Sequence, residues 1–423
     1  MLSLTYNSEE DDDSDEEGQL SLAFASLILL GAEESRRLRS ARRRRHYLTR
    51  SELLPNPRYI TPWTHLYRSQ SDRAYITTMG VDVRTFHYLL DSGFRHLWNT
   101  TPIPRQDTSS TGNVRLNARS LDAEGALGLA LHYINSSTSE TCLQEIFALI
   151  PSTVNRYIRF VVSLLLRVLR EIPEGAVHWP GDEEFNELSQ IIQERHPRLN
   201  GAFGSLDGLN LTARESSNPV VENATYNGWL HSHCYSCVIA FSPKGLIIAC
   251  NLNAPGSWHD SRVARPIYEK LQDDTPDGYY LIADTAFPRG MNDPASKIKA
   301  PIKSGQRLPA DPMERAEFVA FDRQLLSYRQ TAEWGMRALQ GSFGRLRVPL
   351  DPNDPEWRCD LLELCVRMNN VQASLVGINQ IRNVYLPTWR EAEDARLWFE
   401  FEDMLLSDVR AGDRVSRFHL NLV

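Results

Sequence analysis

Cys234-Tyr235-Ser236-Cys237-Val238-Ile239-Ala240-Phe241, then Ser242-Pro243-Lys244, then Gly245-Leu246-Ile247-Ile248-Ala249-Cys250-Asn251-Leu252, reads as two strands joined by a turn. β-Branched and aromatic residues suit a pleated, half-buried surface, and Ser-Pro-Lys-Gly between two such runs is turn chemistry. Upstream, Phe203 to Leu206 is a short apolar run that ends in Asp207. Downstream, Tyr279 to Ala283 (YYLIA) is another, ending in Asp284. A helix is expected from about Asp260 to Leu271, and a further strand at Ile298 to Ile302. Met313 to about Leu346 reads as helix, in one piece or two.

The order β-β-β-α-β-(β)-α predicts an α/β domain of the ribonuclease H-like kind, a mixed sheet flanked by helices. The region before it reads as all-helical. Val81 to Leu90 and Leu121 to Tyr133 carry apolar residues at helical spacing, the second after a start at Ser120. Thr141 to Phe147, Ala148-Leu149-Ile150 and Pro151 to Tyr157 fit a helix, a tight turn and a second helix opening on Pro. In a helix-turn-helix of this kind Ser152, Thr153, Asn155 and Arg156 would face a DNA groove. The alternative is an ordinary helical hairpin that packs on the next domain.

Strand ends hold side chains rigidly at a sheet edge, where ligands bind. Asp207 and Asp284 stand at two such ends, and Glu333 lies in the helical stretch Thr331-Ala332-Glu333-Trp334. Three convergent carboxylates are oxygen ligands for a hard divalent cation, Mg²⁺ or Mn²⁺. Such ions serve in-line displacement at a phosphodiester. Each acid also has a plain reading. Asp207-Gly208 is turn-like, Asp284 would cap a following helix, and Glu333 would pair with Arg329 or Arg337 one helical turn away.

Whole-chain properties bound the choice. With 423 residues and 42% hydrophobic content, the chain can bury two or three cores. The net charge is −8, but Glu9 to Glu17 alone holds eight acids, so the remainder is balanced and nucleic acid is not excluded as a partner. Residues 1–18 are expected to be an unstructured acidic tail. Arg36 to Arg45 carries seven arginines and suits nuclear import or phosphate contact. Leu20 to Leu30 is about half the roughly 20 residues needed to span a membrane and reads as a short amphipathic or buried helix. Six scattered cysteines fit reduced thiols in an intracellular protein. His231, His233, Cys234 and Cys237 are better taken as strand residues near the sheet face than as a zinc site, because no second ligand pair follows. Trp63, Trp229, Trp258 and Trp334 are expected to anchor core or loops.

Four blocks in order raise the reading of the acids: GSLDGLNL (Gly204–Leu211), NAPGSWHDSRV (Asn253–Val263), LIADTAFP (Leu281–Pro288) and LSYRQTAEWGMRALQGSFGRLR (Leu326–Arg347). Together they resemble the DDE superfamily endonuclease domain of PIF/Harbinger-type transposases, in wording close to a fungal-like subgroup. MGVDVRTFHYLL (Met79–Leu90), LGLALHYI (Leu127–Ile134) and GINQI (Gly377–Ile381) extend the resemblance over most of residues 45–390. Phe343-Gly344 lies further from Glu333 than in the animal branch. The resemblance implies that Asp207, Asp284 and Glu333 bind a divalent metal (Mg²⁺ or Mn²⁺) and cleave DNA at element ends. It matches Asp260 to a further family acid, whose neutral reading is a helix N-cap. It also implies a separate Myb-like DNA-binding partner protein and a homo-oligomer that holds two DNA ends. The rival expectation is a domesticated DNA- or partner-binding protein that does not cleave.

The expected organisation is an acidic tail and Arg-rich segment over 1–45 and a helical region with the helix-turn-helix over 46–195. The DDE endonuclease domain then covers 196–350 and a C-terminal helical extension 351–423. The expected setting is the nucleus, with DNA as substrate and no membrane.

Overall fold

The computed structural model describes residues 11–46, 48–104, 114–287, 295–302, 307–377 and 379–385. The first ten residues of the acidic tail, Pro288 of the third block and the C-terminal extension past residue 385 lie outside the described residues.

Nine helices precede the sheet among the described residues: α1 (Asp11–His46), α2 (Pro62–Ser69), α3 (Asp72–Met79), α4 (Val83–Leu89), α5 (Arg95–Thr100), α6 (Ala123–Asn135), α7 (Glu140–Phe147), α8 (Pro151–Glu171) and α9 (Asp182–Arg195). The sheet region follows as β1 (Ala202–Thr212), α10 (Pro219–Thr225), β2 (Tyr226–Asn227), β3 (Ser232–Phe241), β4 (Ile247–Pro255), α11 (Asp260–Val263), α12 (Arg265–Asp273), β5 (Tyr280–Ala283) and β6 (Ile298–Lys299). The chain then forms α13 (Pro312–Ser342), α14 (Pro355–Val371) and α15 (Gln380–Tyr385).

The six strands make one mixed sheet. β3 pairs antiparallel with β1 on one side and with β4 on the other, while the short β2 joins its first residues. β5 runs parallel to β1, and β6 parallel to β5. The expected hairpin is therefore β3–β4, closed by Gly245 N–H to the Ser242 carbonyl at 2.9 Å. Its second strand starts two residues later and runs three residues further than the pattern suggested. A register shift lets it continue, and Asn253 sits there at φ 60°. Asn is among the residues that tolerate this left-handed conformation.

Both faces of the sheet are covered. On one side Leu209, Leu211, Cys237 and Ile239 share a core with α6, α8, α13 and α14. On the other, Phe203, Leu206, Val238 and Ala240 pack with Phe185 of α9 and Ile267 and Leu271 of α12. Helices α2 to α9 upstream of the sheet and α14 downstream of it thus contribute to the same apolar cluster as the strands. α6 shows why: it is apolar nearly all round and is buried from Gly125 to Ile134, as expected of a core helix. Its start is capped by Asp122, whose carboxylate accepts from Gly125 N–H at 2.7 Å, rather than by Ser120.

Two expectations are corrected. Residues 11–18, expected to be unstructured, open the 36-residue α1. The argument from like-charge repulsion left out the helix macrodipole, which favours acids at the N-terminus and arginines at the C-terminus, the order in which this segment carries them. The apolar stretch inside α1 is not buried: Leu22, Phe24 and Leu27 to Leu30 are all exposed. No single helix among the described residues is long and apolar enough to cross a membrane.

Candidate active site

Strand register brings two of the acids together. Leu206 of β1 lies beside Ala283 of β5 in the parallel ladder. The next residue on each strand is an acid, so Asp207 and Asp284 stand on neighbouring strands. β5 stops there, whereas β1 and β3 run on together to Thr212 and Cys234. The two carboxylates therefore sit at the step where the sheet narrows.

Glu333 arrives from α13, a 31-residue helix of about 46 Å at 1.5 Å per residue. Expected as one helix or two, it is continuous, and a 3₁₀ turn follows it at Gly344–Arg347. Its position over β1 is set by a buried hydrogen bond between the Ser205 and Thr331 hydroxyls at 2.7 Å. Thr331 already donates to the Tyr328 carbonyl, so Ser205 is the donor to Thr331. Each hydroxyl lies two residues before an acid: Ser205 before Asp207, Thr331 before Glu333. Gly335 lets the helix come close, because a Cβ there would fall 2.6 Å from the ring of buried Phe241.

Asp260 approaches from the other side of β1. It is the first residue of α11, and the cap of that helix is His259, whose Nδ1 accepts from Ser261 N–H at 3.3 Å. The N-cap reading of Asp260 is thus corrected by one residue. Its carboxylate lies over Gly208, where an added Cβ would be 2.7 Å from it. Asp284 caps no helix; it accepts from Thr285 N–H at 2.6 Å in a turn.

Charge is concentrated here. Burial pushes the Asp207 carboxyl up to about 6, and the negative charges of Asp284 and Glu333 add to the rise. The Gly208 N–H, donating at 2.8 Å, and the Arg329 guanidinium pull it back. Burial, and then Asp284, likewise raise Asp260 against the pull of His259. Glu333 is engaged by Arg329 at 2.8 Å, the ion pair anticipated at one-turn spacing, while Arg337 points outward. Among the described residues no three His, Cys, Asp or Glu side chains stand close enough together to hold a metal ion as they are. The donor set nonetheless suits a hard divalent cation in kind, since it is all carboxylate. A nearby positive charge would offset the burial, and the lesser repulsion, that raise Asp207.

Other candidates are placed as follows. α7 and α8 meet at 95°, joined through Ala148, which takes φ 51°; a helix-turn-helix and an ordinary helical hairpin both fit this angle. Ser152 and Asn155 are exposed and Thr153 and Arg156 half-buried, while Val154, Tyr157 and Ile158 face the core. His233 pairs with Glu222 at 3.1 Å and with Thr225 at 3.0 Å. Trp63 is a core residue, but Trp229 is 93% exposed and anchors nothing. Trp258 lies under the Arg262 guanidinium at 3.9 Å. Ser205, Thr331, Gly208 and Gly335 were not singled out from the sequence, whereas Arg329 was, as a partner of Glu333. Only Arg329 had a readable signal, its one-turn spacing from Glu333.

Residues 206–370 match the family model described as DDE superfamily endonuclease. The matched stretch starts one residue before Asp207, contains Asp260, Asp284 and Glu333, and runs into α14. That stretch is therefore similar to a nuclease-type domain. No curated protein and no solved structure matches the chain.

Proposed function

We propose that the chain is a metal-dependent DNA endonuclease of the transposase kind, close to the PIF/Harbinger group, and that Asp207, Asp284 and Glu333 are its catalytic carboxylates. The observation that carries this reading is the neighbouring placement of Asp207 and Asp284 on parallel strands, with α13 tied to β1 two residues away from Glu333. The strand order β4-β3-β1-β5-β6 is that of a ribonuclease H-like sheet and supports the same reading.

In this proposal Asp207, Asp284 and Glu333 hold Mg²⁺ or Mn²⁺. When bound, the ion supplies Lewis acidity and lowers the pKa of a water or hydroxyl nucleophile. Asp207 offers rigid oxygens because it stands at a strand position fixed by the ladder, and Asp284 follows directly on the last ladder residue of β5, held by the Thr285 N–H. Glu333 must turn from Arg329 to join them, and Arg329 is then left beside the acids as a positive group that can meet a phosphate oxygen. Asp260 supports the site across Gly208. The helix-turn-helix of α7 and α8, read through Ser152, Thr153, Asn155 and Arg156, would bind the duplex. A Myb-like partner protein, a homo-oligomer and a nuclear setting complete the proposal.

The second reading is a DNA- or partner-binding protein that does not cleave. The Arg329–Glu333 ion pair favours it, because it occupies the third acid. Nicking of supercoiled DNA with Mg²⁺ or Mn²⁺ separates the two. The nuclease reading expects metal-dependent nicking that Asp284→Ala and Glu333→Ala each abolish. Metal-independent background in all three proteins, with end-DNA and partner added, would put the binding reading first.

A further inference from the structure

A cavity of about 190 Å³ opens between the first half of α8, the residues just past β1 and the segment that leads into α14. Four arginines from four separate pieces of chain line it: Arg159 of α8, Arg214 beyond β1, Arg345 of the 3₁₀ turn after α13, and Arg358 of α14. Glu140 and Asp351 are the carboxylates in the lining, so cations outnumber anions there four to two. Two of the arginines are already used. Arg159 is paired with Asp354 at 2.7 Å. Arg358 donates to the Asn253 side chain at 2.9 Å and to the Asp351 carbonyl at 2.6 Å. Arg214 and Arg345 have no carboxylate partner among the described residues.

Three of the four arginines are also held in place. Arg345 lies over the Tyr133 ring at 4.3 Å, Arg159 over Trp357 at 5.0 Å and Arg358 over Tyr235 at 3.8 Å. A guanidinium stacked on a ring keeps its plane, and therefore loses little freedom when an anion binds. Its fork of N–H donors matches the paired oxygens of a phosphate. A cavity of this size has room for several waters at about 30 Å³ each, and so for one phosphate group.

Position names the source of the phosphate. Asp207 and the residues alternating with it, Leu209 and Leu211, lie on the face of β1 that carries α8, α13 and α14. The cavity is at the far end of the same face. Arg214 is reached from Asp207 by about 23 Å of extended chain at ~3.3 Å per residue. That is about seven base pairs of duplex at ~3.4 Å each. Asn155 of α8, on the face read as groove-directed, lines the same cavity.

We propose that this cavity binds a backbone phosphate of duplex DNA, with Arg214 and Arg345 as the groups that take it. It fixes the duplex about seven base pairs from the cleavage centre. The assignment rests on the nuclease reading for its ligand, and its test is separate from catalysis. Full-length chain is titrated against a fluorescent duplex between about 50 and 200 mM salt. The variants are Arg214→Ala/Arg345→Ala, Arg214→Glu alone, and Arg167→Ala as an exposed α8 control outside the cavity. Arg214→Glu guards against misfolding, because that side chain makes no hydrogen bond or ion pair among the described residues. Loss of one phosphate contact lowers the slope of log K against log salt by about 0.9, equally on unrelated sequences. The double variant and Arg214→Glu should show that drop, and Arg167→Ala should not. Wild-type slope in both cavity variants overturns the proposal; if the wild type nicks DNA in the same preparations, the nuclease reading stands without it. A wild type that neither binds nor nicks duplex overturns both.

Discussion

Placing a methyl group at Gly335 sets two effects of known size against each other. In an open helix, Gly→Ala adds about 1 kcal/mol of stability through helix propensity. At Gly335 the new Cβ would lie 2.6, 2.7 and 2.8 Å from three carbons of the Phe241 ring. Carbon atoms in contact prefer about 3.5–4.0 Å, so α13 or the ring must give by about 1 Å. Phe241 is 1% exposed and closed in on every side. Overpacking of this sort costs about 1–3 kcal/mol, enough to reverse the propensity gain. If α13 lifts, Glu333 lifts with it, and a misplacement of about 1 Å can cost a catalytic site about 100-fold. Gly335→Ala is therefore expected to be neutral to about 2 kcal/mol destabilised in urea unfolding, and to lose roughly 10- to 100-fold in metal-dependent nicking. Gly341→Ala is the control, since it is on the same helix with nothing within 4 Å. It should gain up to about 1 kcal/mol and nick normally. A Gly335→Ala protein that gains stability as Gly341→Ala does, and nicks at the wild-type rate, would refute the claim that this contact sets the height of α13.

Ser205→Ala should cost about 1 kcal/mol because it strands an acceptor site on buried Thr331. Adding Thr331→Val should cost less than the two single changes summed, and strict additivity in urea unfolding would argue against the coupling. Gly208→Ala puts a methyl 2.7 Å from the Asp260 carboxylate and should reduce nicking about as much as Asp260→Asn does; wild-type activity in Gly208→Ala would remove Asp260 from the site. His132 and His196 are both pushed down to about 4 by burial. Their folded pKa lies below the unfolded value of 6.5, so between those values the unfolded chain holds more protons. Their contribution is intact above pH 6.5 and is lost as pH falls toward 4. Each group should add a slope of up to about 1.4 kcal/mol per pH unit near pH 5. His132→Phe should remove its share of that slope, and an unchanged pH profile of unfolding would sink the assignment.

Much of this was legible along the chain because it depends on residues close in sequence. The β-branched and aromatic runs of Cys234 to Leu252 with a turn between them announced the β3–β4 hairpin, and Pro151 announced the start of α8. The apolar runs before Asp207 and Asp284 located β1 and β5; Asp284 follows the end of β5 as expected, but Asp207 lies within β1, which runs on to Thr212, and not at its end. A strand or a helix start is a local decision about dihedrals and solvent, so a window of residues contains it. The charges of residues 11–45 were equally visible, but whether they stay apart or align along one helix axis depends on a helix forming at all.

What only the tertiary structure decided is how pieces distant in sequence meet. No local pattern says that Leu206 registers with Ala283, that Ser205 reaches Thr331 from 126 positions away, or that Gly335 is a contact surface for Phe241. Nor does any pattern say that Arg159, Arg214, Arg345 and Arg358 share one cavity. These depend on the summed burial of a whole sheet and two helical layers, which places each side chain only after every other is placed. The sequence alone determined which carboxylates could act and on which elements they ride. The fold determined that Asp207 and Asp284 are neighbours and that Glu333 is held by Arg329.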